Sequence, residues 1–277
     1  MARGFRNRVE ERGKLFLAAV AVGTTLLSAA LLVSSVGVSV DDWRKRTLDW
    51  RDQEYNKLRS LHAGYTRAKF ESELGQPVFD RPTKNGKFRE QTFRRREHWV
   101  QTISTEGGSV VLYTVTACGR EFQPGFSISG ASDDEAEGKA YVTLNASKFD
   151  KVAPDRSGLL LDYYGTAATS NSRFLEVLSS SNPSNYKTFA WGINDVCPGF
   201  YLEVYPAIYK KSRIPVEGFK TPTYKGELTK APRWVKRFRT GFAVNTYAET
   251  APLFSLEELP NDFQVGADRI LTRTTGD

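Results

Sequence analysis

Residues 15–40 read LFLAAVAVGTTLLSAALLVSSVGVSV, a stretch without a single charged side chain. As an α-helix this stretch would measure about 39 Å, more than the roughly 30 Å hydrocarbon core of a bilayer. Small and hydroxyl residues such as Gly23, Thr24 and Ser28 are tolerated in membrane helices. The stretch therefore predicts a transmembrane helix over residues 15–40 that anchors the chain in a lipid bilayer.

Two other structures compete with this transmembrane helix. A cleaved signal peptide has a shorter apolar region and ends in an Ala-x-Ala-like site, whereas this stretch is longer and ends before Asp41 and Asp42. A buried core helix normally has a polar face, which this stretch lacks. An uncleaved anchor fits best, and a cleaved signal peptide is the main alternative.

The charges that precede the stretch set its orientation. Residues 1–14 carry five basic and two acidic side chains, and basic residues beside a span stay in the cytoplasm. The sequence thus predicts a cytoplasmic tail, residues 1–14, and a single-pass cell-membrane protein whose C-terminal part is extracytoplasmic.

The rest of the chain has the composition of a folded domain. Of all 277 residues, 40% are hydrophobic and 12% aromatic, and the net charge of +7 includes +3 from the tail. The remaining charge is too small to indicate a nucleic-acid-binding protein by itself, so no nucleic-acid partner is predicted.

Cys118 and Cys197 are the only cysteines. Outside the cytoplasm a pair of cysteines favours a disulfide, whereas a zinc site needs four ligands at short spacing. We predict a disulfide and no metal or other cofactor; two buried free thiols are the alternative.

Local signals divide the first part of the domain. Trp43, Trp50, Leu58 and Leu61 recur at helical spacing and predict a helical stalk over residues 41–64. A helix over residues 66–74 follows, with Thr66 as its N-cap and Gly75 at its end.

A hairpin comes next. Residues 93–104 alternate in polarity, residues 110–117 are rich in β-branched and aromatic side chains, and Gly107-Gly108 lies between them. This order of helix and hairpin, residues 66–117, resembles the small bacterial outer-membrane assembly lipoproteins. The resemblance implies a helix packed on an antiparallel hairpin and no particular function.

The second half of the domain predicts further strands. Residues 139–145, 186–193 and 200–209 read as strands, and residues 172–178 as a short helix. Cys118 and Cys197 then both lie at strand ends. The predicted fold is an α+β extracytoplasmic domain of antiparallel sheet with short helices, residues 65–277, either as one unit or as two, residues 65–122 and 139–277.

Residues 210–239 form a basic region in which ten Lys or Arg oppose two Glu. From residue 233 to 242 apolar and basic side chains alternate, which predicts a strand with one aromatic and one basic face. Outside a membrane this region would suit anionic lipid, wall polymer or an acidic protein, although a merely solvated basic face is the alternative. The predicted binding residues are Arg233, Trp234, Lys236, Arg237 and Arg239.

The chain as a whole resembles an uncharacterised family of single-pass bacterial envelope proteins of unknown function. The likeness comprises the N-terminal anchor and four short motifs: Phe70-x-x-x-Leu74-Gly75-x-Pro77, Val115-Thr116-Ala117-Cys118, Asn185-Tyr186 through Gly192-x-Asn194-Asp195, and Asn245-Thr246-Tyr247-Ala248. The resemblance implies an envelope location and an α+β domain, and it supplies no catalytic residues.

The sequence contains none of the common catalytic motifs, such as Gly-x-Ser-x-Gly, His-Glu-x-x-His or a Walker loop. His98 reads as a strand-surface residue and His62 as a solvated one. No catalytic residue is therefore assigned. We expect a membrane-anchored binding or interaction protein, and the alternative is an envelope hydrolase or transferase without a recognisable motif.

Overall fold

One antiparallel sheet dominates the part of the chain that the computed structural model describes. The described residues are 50–83, 86–128, 141–152, 159–164, 173–179, 187–194, 197, 210–211 and 224–254. The chain divides into two compact units, Met1–Glu54 and Tyr55–Asp277. The first unit is described only from Trp50, where a helix begins.

The described strands form two antiparallel sheets. In chain order they are β1 (Phe79–Pro82), β2 (Phe88–Arg94), β3 (His98–Thr105), β4 (Val110–Ala117), β5 (Gly125–Ser127), β6 (Tyr141–Thr143), β7 (Leu160–Tyr164), β8 (Arg173–Ser179), β9 (Thr188–Asn194), β10 (Tyr224–Glu227) and β11 (Thr246–Thr250). The nine-stranded sheet has the order β1-β2-β3-β4-β11-β9-β8-β7-β10, and β5 pairs with β6.

The last strand, β11, lies in the middle of the large sheet. Its Thr246 pairs with Thr116 of β4 on one side and with Gly192 of β9 on the other. A meander of four early strands is thereby joined to the strands of the second half. Segments 65–122 and 139–277 thus both contribute strands to one continuous sheet.

The predicted α+β class is wrong, because the described chain is mainly antiparallel sheet with a few short helices. Its α-helices are short: α1 (Trp50–Ser60), α2 (Arg67–Leu74), α3 (Phe149–Val152) and α4 (Arg233–Gly241). Within the described ranges, the helices are all too short and too polar to cross a membrane. The predicted tail and transmembrane segment, residues 1–40, lie outside those ranges.

The predicted stalk does not stand apart from the domain. Leu58 and Leu61 are completely buried, and the Tyr113 hydroxyl donates a hydrogen bond to the Leu58 carbonyl at 3.1 Å. The Tyr55 ring lies 5.1 Å from the ring of Phe122. Leu58 and Leu61 therefore belong to the core of the domain, whereas residues 41–49 of the predicted stalk lie outside the described residues.

The helix predicted over residues 66–74 is confirmed as α2. Thr66 caps it by accepting the Lys69 backbone N–H, and Gly75 ends it with a φ of +83° and an N–H bonded to the Glu71 carbonyl. Phe70 is buried edge-on against Tyr113, with ring centroids 5.3 Å apart. This packing fixes α2 to β4.

The predicted hairpin is also confirmed, as β3 and β4 on either side of the glycine turn. Residues near 93 belong instead to β2, which pairs with β3. The predicted strand over 139–145 contains β6, and that over 186–193 largely coincides with β9. The prediction of a helix over residues 172–178 is wrong, because these residues largely form strand β8 between β7 and β9. The whole predicted strand 200–209 lies outside the described residues, as do residues 212–223 of the basic region.

The predicted disulfide is confirmed. Cys118 and Cys197 are bonded, with their Cα atoms 5.1 Å apart. Cys118 follows β4 and Cys197 follows β9, so the bond links the two strands that flank β11. Phe79 and Trp99 pack against the bonded pair.

Candidate functional site

The predicted binding segment is a helix rather than a strand. Residues 233–241 form α4 because Trp234, Phe238 and Phe242 recur every four residues, which suits a helical face as well as an alternating strand. The Phe238 ring lies 4.5 Å from Phe174 of β8 and 5.2 Å from Phe149 of α3. Burial of these rings determines the helical form and packs α4 on the sheet.

The structure separates the five predicted binding residues into two groups. Arg233, Lys236 and Arg237 are exposed, whereas Trp234 and Arg239 are buried. The exposed three are spaced by three and four residues, so they share one face of the helix. The helix contains no acidic residue. Only these three can present charge to a partner, and we call them the α4 basic face.

Arg239 has a structural role. Its guanidinium Nε lies 2.5 Å from Oε1 of Glu176 on β8, and its Nη2 donates to the Phe149 carbonyl at 3.3 Å. The Trp191 indole N–H donates to the other Glu176 oxygen at 3.1 Å. A charge with this many partners is held in place and is not available for a ligand. Sequence reasoning missed Glu176 because it lies 63 residues from Arg239.

One of the exposed cations, Arg233, lies at the unfavourable end of its helix. The N-terminal end of a helix carries a partial positive charge, so each cation there typically costs about 0.3–1 kcal/mol. Arg233 is the first residue of α4, and Pro232 before it provides no side-chain cap. The position of Arg233 is therefore not explained by helix stability.

A second group of ionisable residues surrounds Glu249 of β11. This carboxylate is buried and accepts hydrogen bonds from the Ala63 backbone N–H at 2.8 Å, from His62 Nδ1 at 3.1 Å and from the Tyr247 hydroxyl at 2.9 Å. The Lys187 ammonium lies 3.7 Å away. Local sequence patterns could not indicate this cluster, because Glu249 lies 187 residues from His62 and 186 from Ala63.

The contacts of Glu249 set its protonation state. Burial acts to raise the pKa of Glu249, but the hydrogen bond from His62 and the charge of Lys187 outweigh it, so the pKa lies below its usual value. Burial, together with the Glu249 charge, raises the pKa of Tyr113 and of Tyr247 well above the usual value. The carboxylate is thus ionised and both phenols are protonated at neutral pH.

Neither histidine lies where the sequence placed it. His98 is buried, not on the strand surface, and its ring stacks on Phe122 with centroids 4.5 Å apart. The His62 side chain is about half exposed and bonded to Glu249, so it is not simply solvated. Among the described residues, no group of three or more His, Cys, Asp or Glu is arranged to hold a metal ion.

Comparisons with protein-family models, with curated proteins and with solved structures find no significant match to this chain. The resemblance to single-pass envelope proteins therefore stays a prediction, as do the assembly-lipoprotein likeness of residues 66–117 and the alternative of an envelope hydrolase or transferase.

Proposed function

We propose that this chain is a non-enzymatic extracytoplasmic binding protein that attaches to anionic surfaces of the cell envelope through the α4 basic face. The observation that carries the proposal is the face itself: Arg233, Lys236 and Arg237 share one side of a helix whose other side is packed into the core. A cation near an anionic surface contributes about 1 kcal/mol.

Other exposed cations lie near α4 in sequence or in space. The Lys211 ammonium lies 5.9 Å from the ring centroid of Phe242, the residue after the helix. Lys230, three residues before the helix, is largely exposed although it lies 3.5 Å from Glu227. The unfavourable position of Arg233 relative to the helix dipole supports a role in binding, because stability alone would disfavour a cation there.

The disulfide supports an extracytoplasmic location. Such bonds persist in oxidising compartments and are rare in the cytosol. Anionic lipid headgroups, wall polymers and acidic protein faces are the partners of this charge in an envelope. Anionic lipid is the primary partner, since its headgroups offer closely spaced charges to the exposed face of the helix.

Vesicle co-sedimentation tests the proposal. The protein is mixed with vesicles of phosphatidylglycerol and phosphatidylcholine, and with vesicles of phosphatidylcholine alone. We expect binding only to the anionic vesicles, with a steep decrease as salt is added, because salt screens the charges within about 10 Å. The variant Arg233→Ser/Lys236→Ser/Arg237→Ser should lose most of this binding.

A matched control separates this surface from net charge. The variant Lys69→Ser/Lys87→Ser/Arg120→Ser removes the same charge from exposed positions outside α4. It should bind anionic vesicles nearly as well as the native protein. If both variants lost vesicle binding equally, binding would depend on the overall charge and not on the α4 basic face. Absence of binding by the native protein at low salt would refute the proposal.

A further inference from the structure

A small pocket lies beside the Glu249 cluster and has no part in the proposed lipid binding. Its volume is about 230 Å³. It is formed where three elements meet: the end of α1 with the residues after it, the central strands β4 and β11, and the small sheet β5–β6. The lining residues are Arg59, Leu61, His62, Tyr113, Tyr247 and, from the small sheet, residues 125–127 and Tyr141.

Aromatic rings form most of this pocket. Tyr113 and Tyr247 are almost completely buried, and the Phe126 ring stacks on Tyr247 with centroids 4.3 Å apart and planes 6° from parallel. Tyr141 lies over β5 at its exposed edge. Faces and edges of this kind favour an aromatic ring as the occupant.

Gly125 makes the Tyr141 wall possible. A Cβ atom at position 125 would come within 2.0 Å of the Tyr141 hydroxyl oxygen, so only glycine lets that ring lie across the strand. Tyr141 is itself 52% exposed and could swing away into solvent. A side chain at position 125 would therefore remove one wall of the pocket without disturbing the core.

The hydroxyls of the two buried tyrosines are already used. Tyr247 donates to Glu249 at 2.9 Å and Tyr113 donates to the Leu58 carbonyl at 3.1 Å. Each phenol has only one proton to donate. These two residues therefore present mainly ring surface to an occupant, and its polar group must be recognised elsewhere.

Arg59 and His62 supply that polar recognition. Both line the pocket and are exposed. His62 uses Nδ1 for Glu249, which leaves Nε2 on the opposite edge of the ring. The negative charge of Glu249 is offset by the Lys187 ammonium 3.7 Å away. The pocket consequently offers a cationic guanidinium and an imidazole above an aromatic floor.

We propose that this pocket binds a small aromatic carboxylate. The ring would lie among Tyr113, Phe126, Tyr141 and Tyr247, and the carboxylate would pair with the Arg59 guanidinium, which is suited to carboxylates by its planar fork of donors. Pockets for drug-sized ligands measure about 300–1,000 Å³, so the smaller volume here fits a ligand of one ring. The assignment stands apart from the α4 basic face.

Calorimetric titration of the full chain with phenylacetate tests this assignment, with benzyl alcohol as the uncharged ring and cyclohexylacetate as the non-aromatic acid. We expect phenylacetate to bind about tenfold or more tightly than either analogue, because a hydrogen bond to a charged group and ring stacking each contribute that much. Equal binding of benzyl alcohol would overturn the carboxylate assignment and mark the pocket as a purely apolar cavity. No binding of phenylacetate at millimolar concentration would overturn the proposal altogether.

Variants locate the site. Arg59→Gln should weaken phenylacetate binding about tenfold, and Gly125→Ala should weaken it by displacing Tyr141. Arg233→Gln removes an exposed cation from α4 and should leave phenylacetate binding unchanged while it weakens binding to anionic vesicles. A loss of phenylacetate binding in Arg233→Gln, or full binding in both Arg59→Gln and Gly125→Ala, would place the ligand elsewhere and refute the assignment. This pattern separates a failure of the pocket from a failure of the lipid-binding surface.

Discussion

Arg239 of α4 and Glu176 of β8 form an ion pair in the interior, with Nε 2.5 Å from Oε1 and 6% and 0% of the two side chains exposed. The pair joins the amphipathic helix to the strand beneath it, while the aromatic contacts of Phe238 fill the space beside it. The helix is thereby held with Arg233, Lys236 and Arg237 facing solvent. A buried charge pair orients the surface proposed to bind anions.

Removal of the Arg239 side chain should destabilise the domain strongly. Arg239→Met leaves Glu176 buried without its cation, and such a loss costs about 3–5 kcal/mol. Arg239→Lys keeps the charge without the planar fork and should cost less. Denaturant unfolding measures both values, with Lys236→Met as the exposed control. A loss below about 1 kcal/mol for Arg239→Met would contradict a structural role.

Charge reversal at Arg233 should separate binding from stability. Arg233→Glu places an acidic residue in the first turn of α4, where the helix dipole favours it by about 0.3–1 kcal/mol. We expect unchanged or slightly higher thermal stability together with weaker binding to anionic vesicles. Arg233→Gln should be intermediate in both. If reversal left vesicle binding intact, the charge at this position would not belong to the binding surface.

The disulfide should contribute substantially to stability. It joins residues 79 positions apart, and the chain-entropy model assigns about 4 kcal/mol to a loop of that length. Reduction, or the double variant Cys118→Ser/Cys197→Ser, should therefore lower the free energy of unfolding by a comparable amount, and the denaturation midpoint should fall with it. Unfolding with and without reductant measures the effect, and the double variant should be insensitive to reductant. An unchanged midpoint after verified reduction would refute the contribution.

How much of this structure was predictable depended on whether the signals were local. Helix α2 and the hairpin of β3 and β4 follow from Thr66, Gly75 and the glycine turn, all within a few residues of what they determine. The sequence predicted a helix over residues 172–178 and a strand over 233–242, whereas the structure has strand β8 and helix α4 there. Each pattern fits both periods, and distant segments decided the outcome: β8 pairs with β7 and β9, and α4 packs its aromatic side chains on β8.

The candidate sites show the same limit. The α4 basic face could be found from charge density alone, but the buried role of Arg239 could not, because Glu176 lies far away in sequence. The aromatic pocket was invisible for the same reason. Arg59, Gly125 and Tyr247 come together only when β11 enters the middle of the sheet. Sequence periodicity shows which residues share one face of a helix or strand. Which distant residues come into contact depends on the order of the strands in the sheet.

Acid should remove the stabilisation that Glu249 provides. Its pKa is lower in the folded chain than the usual value of about 4.3. The contribution is therefore complete above the unfolded pKa and is lost as the pH falls through the folded pKa. Glu249→Gln should make the free energy of unfolding depend less steeply on pH in the acid range. Denaturation at a series of pH values measures this dependence, called here the acid limb. Glu106→Gln, at an exposed turn, should leave the limb unchanged; equal slopes for Glu249→Gln and native protein would contradict the prediction.

Alkali should destabilise the domain through its two buried tyrosines. Burial raises the pKa of Tyr113 and Tyr247 well above the usual value, and the nearby Glu249 charge adds to this. Both phenols stay protonated in the folded chain, whereas in the unfolded chain they ionise near pH 10. The stability that they contribute is thus present below about pH 10 and declines as the pH rises toward the folded pKa values.

Unfolding at a series of alkaline pH values, followed by tyrosinate absorbance, measures this decline. Tyr113→Phe cannot ionise and should reduce the alkaline slope, although it also loses the hydrogen bond to the Leu58 carbonyl at 3.1 Å. Its stability at neutral pH should fall by about 1 kcal/mol, so the two curves should converge as the pH rises. Tyr141→Phe alters an exposed ring and should keep the native slope. Parallel curves for Tyr113→Phe and native protein would mean that the Tyr113 hydroxyl already reaches solvent in the folded state.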